Sequence, residues 1–196
     1  MEVRTVAVIG AGAMGRGIAY AAALSGYRTI LEDILPAALR RAESEIRNHL
    51  AAAVDVGALA APAAQAALGR LEFARSVEEA ARQADLVIEA VPDELESKLE
   101  IFTLLDKICR PATILVTNTS TLSVSEIASV TYRAPRCVGM RFTKPRQNTR
   151  LEIVRGLQTD ESTVATAVEV GRRMARQTVV IREQESAIKS RQAAPE

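Results

Sequence analysis

Three glycines at fixed spacing, in the run Gly10-Ala11-Gly12-Ala13-Met14-Gly15, are the residues whose types most directly imply chemistry. They follow the apolar run Val6-Ala7-Val8-Ile9 and open an amphipathic stretch through Ile18, Ala22 and Leu24, which is a strand-turn-helix context. In that context Gly10 makes the tight turn, Gly12 lets a diphosphate approach the backbone, and Gly15 lets the helix pack against the strand. The start of the helix, around Ala13 and Met14, offers free N–H groups and the positive end of the helix dipole to phosphates. Asp33 lies 18 residues after Gly15, at the end of the second expected strand. A carboxylate there accepts hydrogen bonds from ribose hydroxyls and repels a 2′-phosphate, so NAD(H) is expected rather than its phosphorylated counterpart. Strand alternation turns the neighbouring Glu32 to the other face, and neither Ile34 nor Leu35 supplies a cation for a phosphate.

Such a turn needs a parallel sheet to present it. Short β-branched runs alternate with longer alanine-rich stretches, which predicts a doubly wound, mostly parallel α/β sheet of the Rossmann type. Strands are expected over 4–9, 29–33, 71–74, 86–90, 114–117, 137–142, 151–154 and 179–182. The intervening helices carry apolar stripes such as Leu95, Leu99, Phe102 and Leu105, which are core faces. Residues 36–69 are almost all helix formers broken near Gly57 and Pro62, and predict a projecting helical hairpin between the second and third strands. One domain is expected over 1–182, followed by a polar tail over 183–196.

Composition narrows the function classes. The 196 residues are 48% hydrophobic and 25% charged, as in a globular protein. With 25 basic and 24 acidic residues the net charge is +1, so no overall field favours nucleic acid or anionic lipid. No apolar run approaches the length of a membrane span or a signal segment, and a cytoplasmic location is expected. Cys109 and Cys137 form no CxxC pair and read as buried packing thiols, with no metal site.

The stretches VAVIGAGAMGRGIA, DLVIEAVPDELESK, NTSTLSVSEIA and LEIVRG, with the hairpin, resemble the NAD-binding domain of 3-hydroxyacyl-CoA dehydrogenases from Val6 to about Arg182. The resemblance implies hydride transfer between NAD and C3 of a 3-hydroxyacyl-CoA or 3-oxoacyl-CoA, in fatty acid metabolism. It also implies ligand contacts from Asp93, where the family has glutamate, and from Lys98. Ser120 matches the family serine near substrate and nicotinamide. Ser123, with Glu126 three residues on, is the better helix cap and leaves Ser120 for a ligand.

The same comparison shows departures. The family's proton acceptor is a histidine held by a glutamate; Arg141 stands at the histidine, Lys144 at a following asparagine, and Glu152 at the glutamate. Arginine stays protonated and cannot be a general base. The only histidine, His49, falls on the hairpin where the family has a serine touching coenzyme A, and Val56 replaces a lysine near the CoA phosphate. The family's C-terminal helical domain is not found in these 196 residues, so an active form would either rely on a partner subunit or homo-oligomer or use altered catalytic groups. Two readings follow. One is a dehydrogenase in which Lys144, its pKa lowered beside Arg141, moves the proton. The other is a non-catalytic NAD(H) and acyl-CoA binding module, with Arg141 salt-bridged to Glu152 or holding an anionic ligand group.

Overall fold

The computed structural model describes residues 1–143, 150–175 and 177–183. Eight strands form one sheet: β1 (Thr5–Ile9), β2 (Arg28–Glu32), β3 (Leu71–Ala74), β4 (Leu86–Glu89), β5 (Ile114–Thr117), β6 (Cys137–Thr143), β7 (Arg150–Arg155) and β8 (Gln177–Arg182). Their spatial order is β3-β2-β1-β4-β5-β6-β7-β8. Every neighbouring pair is parallel except β6 and β7. The strand order reverses between β1 and β4, which opens the crevice where ligands of such sheets bind.

Among the described residues seven α-helices cover the two faces: α1 (Ala13–Leu24), α2 (Pro36–Asp55), α3 (Ala61–Leu68), α4 (Val77–Ala81), α5 (Leu95–Ile108), α6 (Val124–Ala128) and α7 (Glu161–Met174). Alternation along β1 divides the core: Val6 and Val8 join Ile18, Leu31, Ile88 and Met140 on one face. Ala7 and Ile9 join Ile30, Val87, Phe102 and Leu115 on the other. A sheet buried on both faces is why these strands read as continuous apolar runs. Each fully buried Ile or Leu contributes about 1.5–3 kcal/mol over its exposed state.

All eight expected strands are present, with ends shifted by a residue or two. The shift at β2 has a cause. Asp33 leaves the ladder because its carboxylate accepts the N–H groups of Ala11 and Leu35, both at 2.9 Å, which turns the chain away from the strand. The hairpin is also present as α2 and α3, broken at Gly57, which has φ of 71°, with Pro62 in the first turn of α3. It does not project freely. Leu39, Ala42, Ile46 and Leu50 of α2 and Ala64 and Ala67 of α3 are buried in the core beside α1, and Arg16 pairs with Glu45 at 2.7 Å. Apolar residues at helical spacing on α2 and α3 bury one face of the hairpin, which helix propensity alone does not register.

Glu183, the first residue of the expected tail, hydrogen-bonds the Ser125 N–H at 3.2 Å and also meets its hydroxyl, which ties it to the start of α6. Residues 184–196 lie outside the described residues. Cys109 and Cys137 are buried free thiols, and burial pushes both up to about 11. Among the described residues no helix is long and apolar enough to cross a membrane.

Candidate functional site

A cleft of about 1190 Å³ runs along the carboxyl ends of the strands, from Arg41 on α2 and Arg75 after β3, past the glycine turn, to Arg141 and Phe142 on β6. Its volume exceeds the ~300–1,000 Å³ of ordinary small-ligand pockets, as an extended ligand requires.

The glycine turn has the geometry that the spacing implied. Gly10 has φ of 100°, and a Cβ there would stand 2.9 Å from the Ala90 carbonyl oxygen. A Cβ on Gly15 would stand 1.7 Å from the Gly10 carbonyl oxygen, so only glycine lets α1 lie this close to the turn. Gly12 differs, because a Cβ there meets nothing within 4 Å and would extend into open space on the cleft side. The protein itself does not need a glycine at 12; a ligand seated there does. Gly12 is also the N-cap of α1 and gives no side-chain cap, and the first turn holds no acidic residue. The N–H groups and the positive end of α1 are thus left for an anion. Ala13 and Met14 line the same wall. These residues fit the diphosphate of a dinucleotide.

Asp33 closes the next section of the cleft, braced by the Ala11 and Leu35 N–H groups. Alternation was expected to turn Glu32 away from Asp33's side, yet both line the cleft, because β2 ends at Glu32 and Asp33 lies beyond the strand. It is 3% exposed, and burial, with a smaller contribution from the Asp33 charge, pushes its carboxyl up to about 7. Arg41 and Arg75, which sequence reasoning did not single out, reach this end from α2 and from the turn after β3.

In the middle of the cleft Asp93 gathers the turn after β5. One carboxylate oxygen accepts the Ser120 N–H at 3.2 Å, the Ser120 hydroxyl at 3.1 Å and the Thr121 hydroxyl at 3.2 Å. Burial raises the Asp93 carboxyl, but hydrogen bonds from Thr119 and Ser120, with the nearby Lys98 charge, outweigh it and hold it below its ordinary value. Ser123 caps α6 as expected, accepting the Glu126 N–H at 3.0 Å. Ser120, though released from capping, is already bound to Asp93, which the sequence spacing did not reveal.

Lys98 lies beneath this turn and is fully buried, with 0% exposure. Its ammonium donates to Glu89 at 2.7 Å, to the Asn118 carbonyl at 3.3 Å and to the Val91 carbonyl at 3.4 Å, and stands 3.8 Å from Asp93. Glu89 in turn accepts the Thr117 hydroxyl and the Val91 N–H, both at 2.8 Å. Burial pushes the Glu89 carboxyl up, and Lys98, Thr117 and Val91 oppose that rise. Lys98 therefore sits as a strut joining β4, β5 and α5 under the cleft, beside the cleft-lining Asp93. Glu89 and Thr117 were missed, although a carboxylate closing the apolar run Leu86-Val87-Ile88 signals a buried partner.

At the far end, Arg141 and Glu152 face each other across the antiparallel β6–β7 ladder. Arg141 donates from Nη1 to Glu152 at 3.3 Å and from Nε to the Thr119 carbonyl at 3.2 Å, and Arg150 takes the other Glu152 oxygen at 2.8 Å. Arg141 lines the cleft. Lys144 lies outside the described residues. His49 is half-buried on α2 and does not line the cleft, and Val56 at the end of α2 is exposed. Among the described residues no group of three metal-binding side chains occurs.

Comparison with known proteins agrees with this arrangement. Residues 5–184 match the family model described as 3-hydroxyacyl-CoA dehydrogenase, NAD binding domain. The chain is 36% identical over 182 residues to a probable 3-hydroxybutyryl-CoA dehydrogenase of Bacillus subtilis (strain 168), covering 92% of this chain and 63% of that one. It is 40% identical over 171 residues to a 3-hydroxyadipyl-CoA dehydrogenase of Escherichia coli (strain K12), covering 87% of this chain and 36% of the other. The crystal structure of 3-hydroxybutyryl-CoA dehydrogenase from Escherichia coli K12 superposes with a TM-score of 0.90 at 37% identity, over 93% of this chain and 39% of that one. The chain thus spans less than two thirds of the length of these relatives. NAD is the cofactor that the matched domain binds. With the glycine turn, the switch-point cleft and a match along nearly its whole length, the chain belongs to the family of 3-hydroxyacyl-CoA dehydrogenase NAD-binding domains.

Proposed function

We propose that this chain binds NAD(H) along the cleft and holds an acyl-CoA-type ligand beside it, as a module of 3-hydroxyacyl-CoA dehydrogenase type whose position 141 cannot accept a proton. The observation that carries this reading is the Arg141 side chain, on the cleft wall and hydrogen-bonded to Glu152 and the Thr119 carbonyl. NAD, when bound, supplies a hydride acceptor for an alcohol carbon. Oxidation of that carbon also needs a base for the hydroxyl proton, and a guanidinium remains protonated at any working pH. What Arg141 does offer is a permanent positive charge with directed N–H donors, suited to an anionic oxygen of a ligand. The acyl-CoA class comes from the names of the relatives, which act on 3-hydroxybutyryl-CoA and 3-hydroxyadipyl-CoA.

Gly12, Ala13 and Met14 would hold the diphosphate, and Asp33 the ribose of the adenosine half. Asp93 orients Ser120 and Thr121 at the nicotinamide half. Calorimetric titration with NADH, followed by acetoacetyl-CoA added to the NADH-saturated protein, tests the reading. Heat of binding for both with no loss of NADH absorbance supports it. Multiple turnovers of NADH by the wild-type chain contradict it.

A further inference from the structure

Glu32 is a cleft-lining residue whose chemistry the family likeness leaves unexplained. It lies next to Asp33, in the section of cleft beyond the ribose position and away from Asn118, Ser120 and Arg141, which mark the opposite end. Its backbone is fully engaged: the carbonyl accepts the Gly10 N–H at 2.9 Å, and the residue pairs with Ile9 and Ala74 in the parallel ladders. Its side chain is not engaged. The residue is 3% exposed, it borders the cleft, and among the described residues no hydrogen bond or ion pair reaches its carboxyl. The little exposure that Glu32 keeps is at the cleft, where a ligand that supplies both a donor and an acceptor would pair its carboxyl.

The surroundings define the ligand group. Ile34 and Leu35 stand 81% and 62% exposed at the lip of the same section, and Val91 and Ile101 line its other wall. Apolar side chains beside a carboxyl in the same cleft suit a flat heteroaromatic ring with a polar edge. We propose that Glu32 reads the adenine base of the dinucleotide, its carboxyl pairing with the exocyclic amino group and the adjacent ring nitrogen. The assignment rests on the NAD(H) reading above and deepens it at one residue.

The charged groups that share this part of the cleft are Asp33 at the end of the same strand, Arg41 on α2, and Arg75 and Glu78 at the turn from β3 into α4. None of them is ion-paired with Glu32. Burial, and then the Asp33 charge, pushes the Glu32 carboxyl up to about 7, so it is protonated on the acidic side of neutrality. Above that range it would place a second negative charge beside Asp33 and near the diphosphate. NADH affinity therefore falls as the pH rises through neutrality.

The test is calorimetric binding of NADH and of etheno-NADH, whose adenine amino group and adjacent ring nitrogen are bridged, to wild type, Glu32→Gln and Glu32→Leu at about pH 6 and about pH 8.5. Both substitutions remove the carboxyl at a position where no hydrogen bond or ion pair holds it among the described residues. Wild type is expected to bind NADH about tenfold more weakly at the higher pH, whereas Glu32→Gln, which keeps a donor and an acceptor, binds it equally at both. A preference for NADH over etheno-NADH is expected in wild type and Glu32→Gln and is lost in Glu32→Leu. Tight NADH binding that ignores pH and is unmoved by Glu32→Leu overturns the role of Glu32 and leaves the dinucleotide site standing. Failure of NADH to bind at either pH overturns both.

Discussion

Arg141 on β6 and Glu152 on β7 are direct partners in the antiparallel ladder, and their side chains meet at 3.3 Å at the mouth of the cleft. The Glu152 carboxylate is shared by two guanidinium groups, Arg141 and Arg150. Replacing Arg141 by His puts a group that titrates near neutrality where Glu152 can hold it. Arg141→His is expected to raise acetoacetyl-CoA-dependent NADH oxidation on the order of 100-fold, with NADH affinity unchanged. Steady-state assay and calorimetry on the same preparation check both halves.

Gly12 and Gly15 look alike in the motif and differ in what confines them. Gly12→Ala meets no protein atom within 4 Å, so its folding free energy is expected to stay within about 0.5 kcal/mol of wild type. Its NADH affinity is expected to fall at least about tenfold, because the methyl group occupies the diphosphate's space. Gly15→Ala sets a Cβ 1.7 Å from a backbone oxygen, so stability itself should drop. Denaturant titrations of the two variants beside NADH binding separate these effects.

The buried Lys98–Glu89 pair makes a third prediction. Lys98→Met leaves the Glu89 carboxylate uncompensated among groups with no exposure, and should cost about 3–5 kcal/mol in denaturant unfolding. The double variant Lys98→Met with Glu89→Gln removes the stranded charge and is expected to recover a large part of that loss. A double variant as unstable as the single one would show that the pair does not act as a unit.

Glu32 links stability to pH. Its carboxyl is raised from 4.5 to about 7 in the fold, so the native state binds the proton more tightly than the unfolded chain does. The contribution from this group is fully present at acidic pH and is lost as the pH rises from about 4.5 through about 7. Without ligand, Glu32→Gln is therefore expected to be more stable than wild type at mildly alkaline pH, by up to about 3 kcal/mol. The advantage should vanish toward acid, as midpoints of unfolding across the range would show.

Much of this architecture is legible in the chain. β-Branched runs between alanine-rich stretches mark all eight strands, because a sheet covered on both faces must be apolar throughout. The tasks of Gly10, Gly12 and Gly15 follow from local backbone sterics, and Ser123 with Glu126 announces a helix cap. What stays hidden depends on contacts distant in sequence. Lys98 has the composition of a solvated surface residue, and only its meeting with Glu89, Val91 and Asn118 across three elements buries it. Ser120 looks available until Asp93, 27 residues away, takes its hydroxyl. Asp33 leaves its strand for hydrogen bonds to Ala11 and Leu35, a competition that strand propensity does not register.

The central claim is that the cleft holds NADH without a base at position 141. A single-turnover experiment tests it most directly, with wild-type protein in excess over NADH, acetoacetyl-CoA added, and NADH absorbance followed across neutral pH. The account predicts that the NADH is bound, as parallel calorimetry would show, and is oxidised no faster than in buffer at every pH. Rapid oxidation of the bound NADH, with a bell-shaped pH dependence, would contradict it.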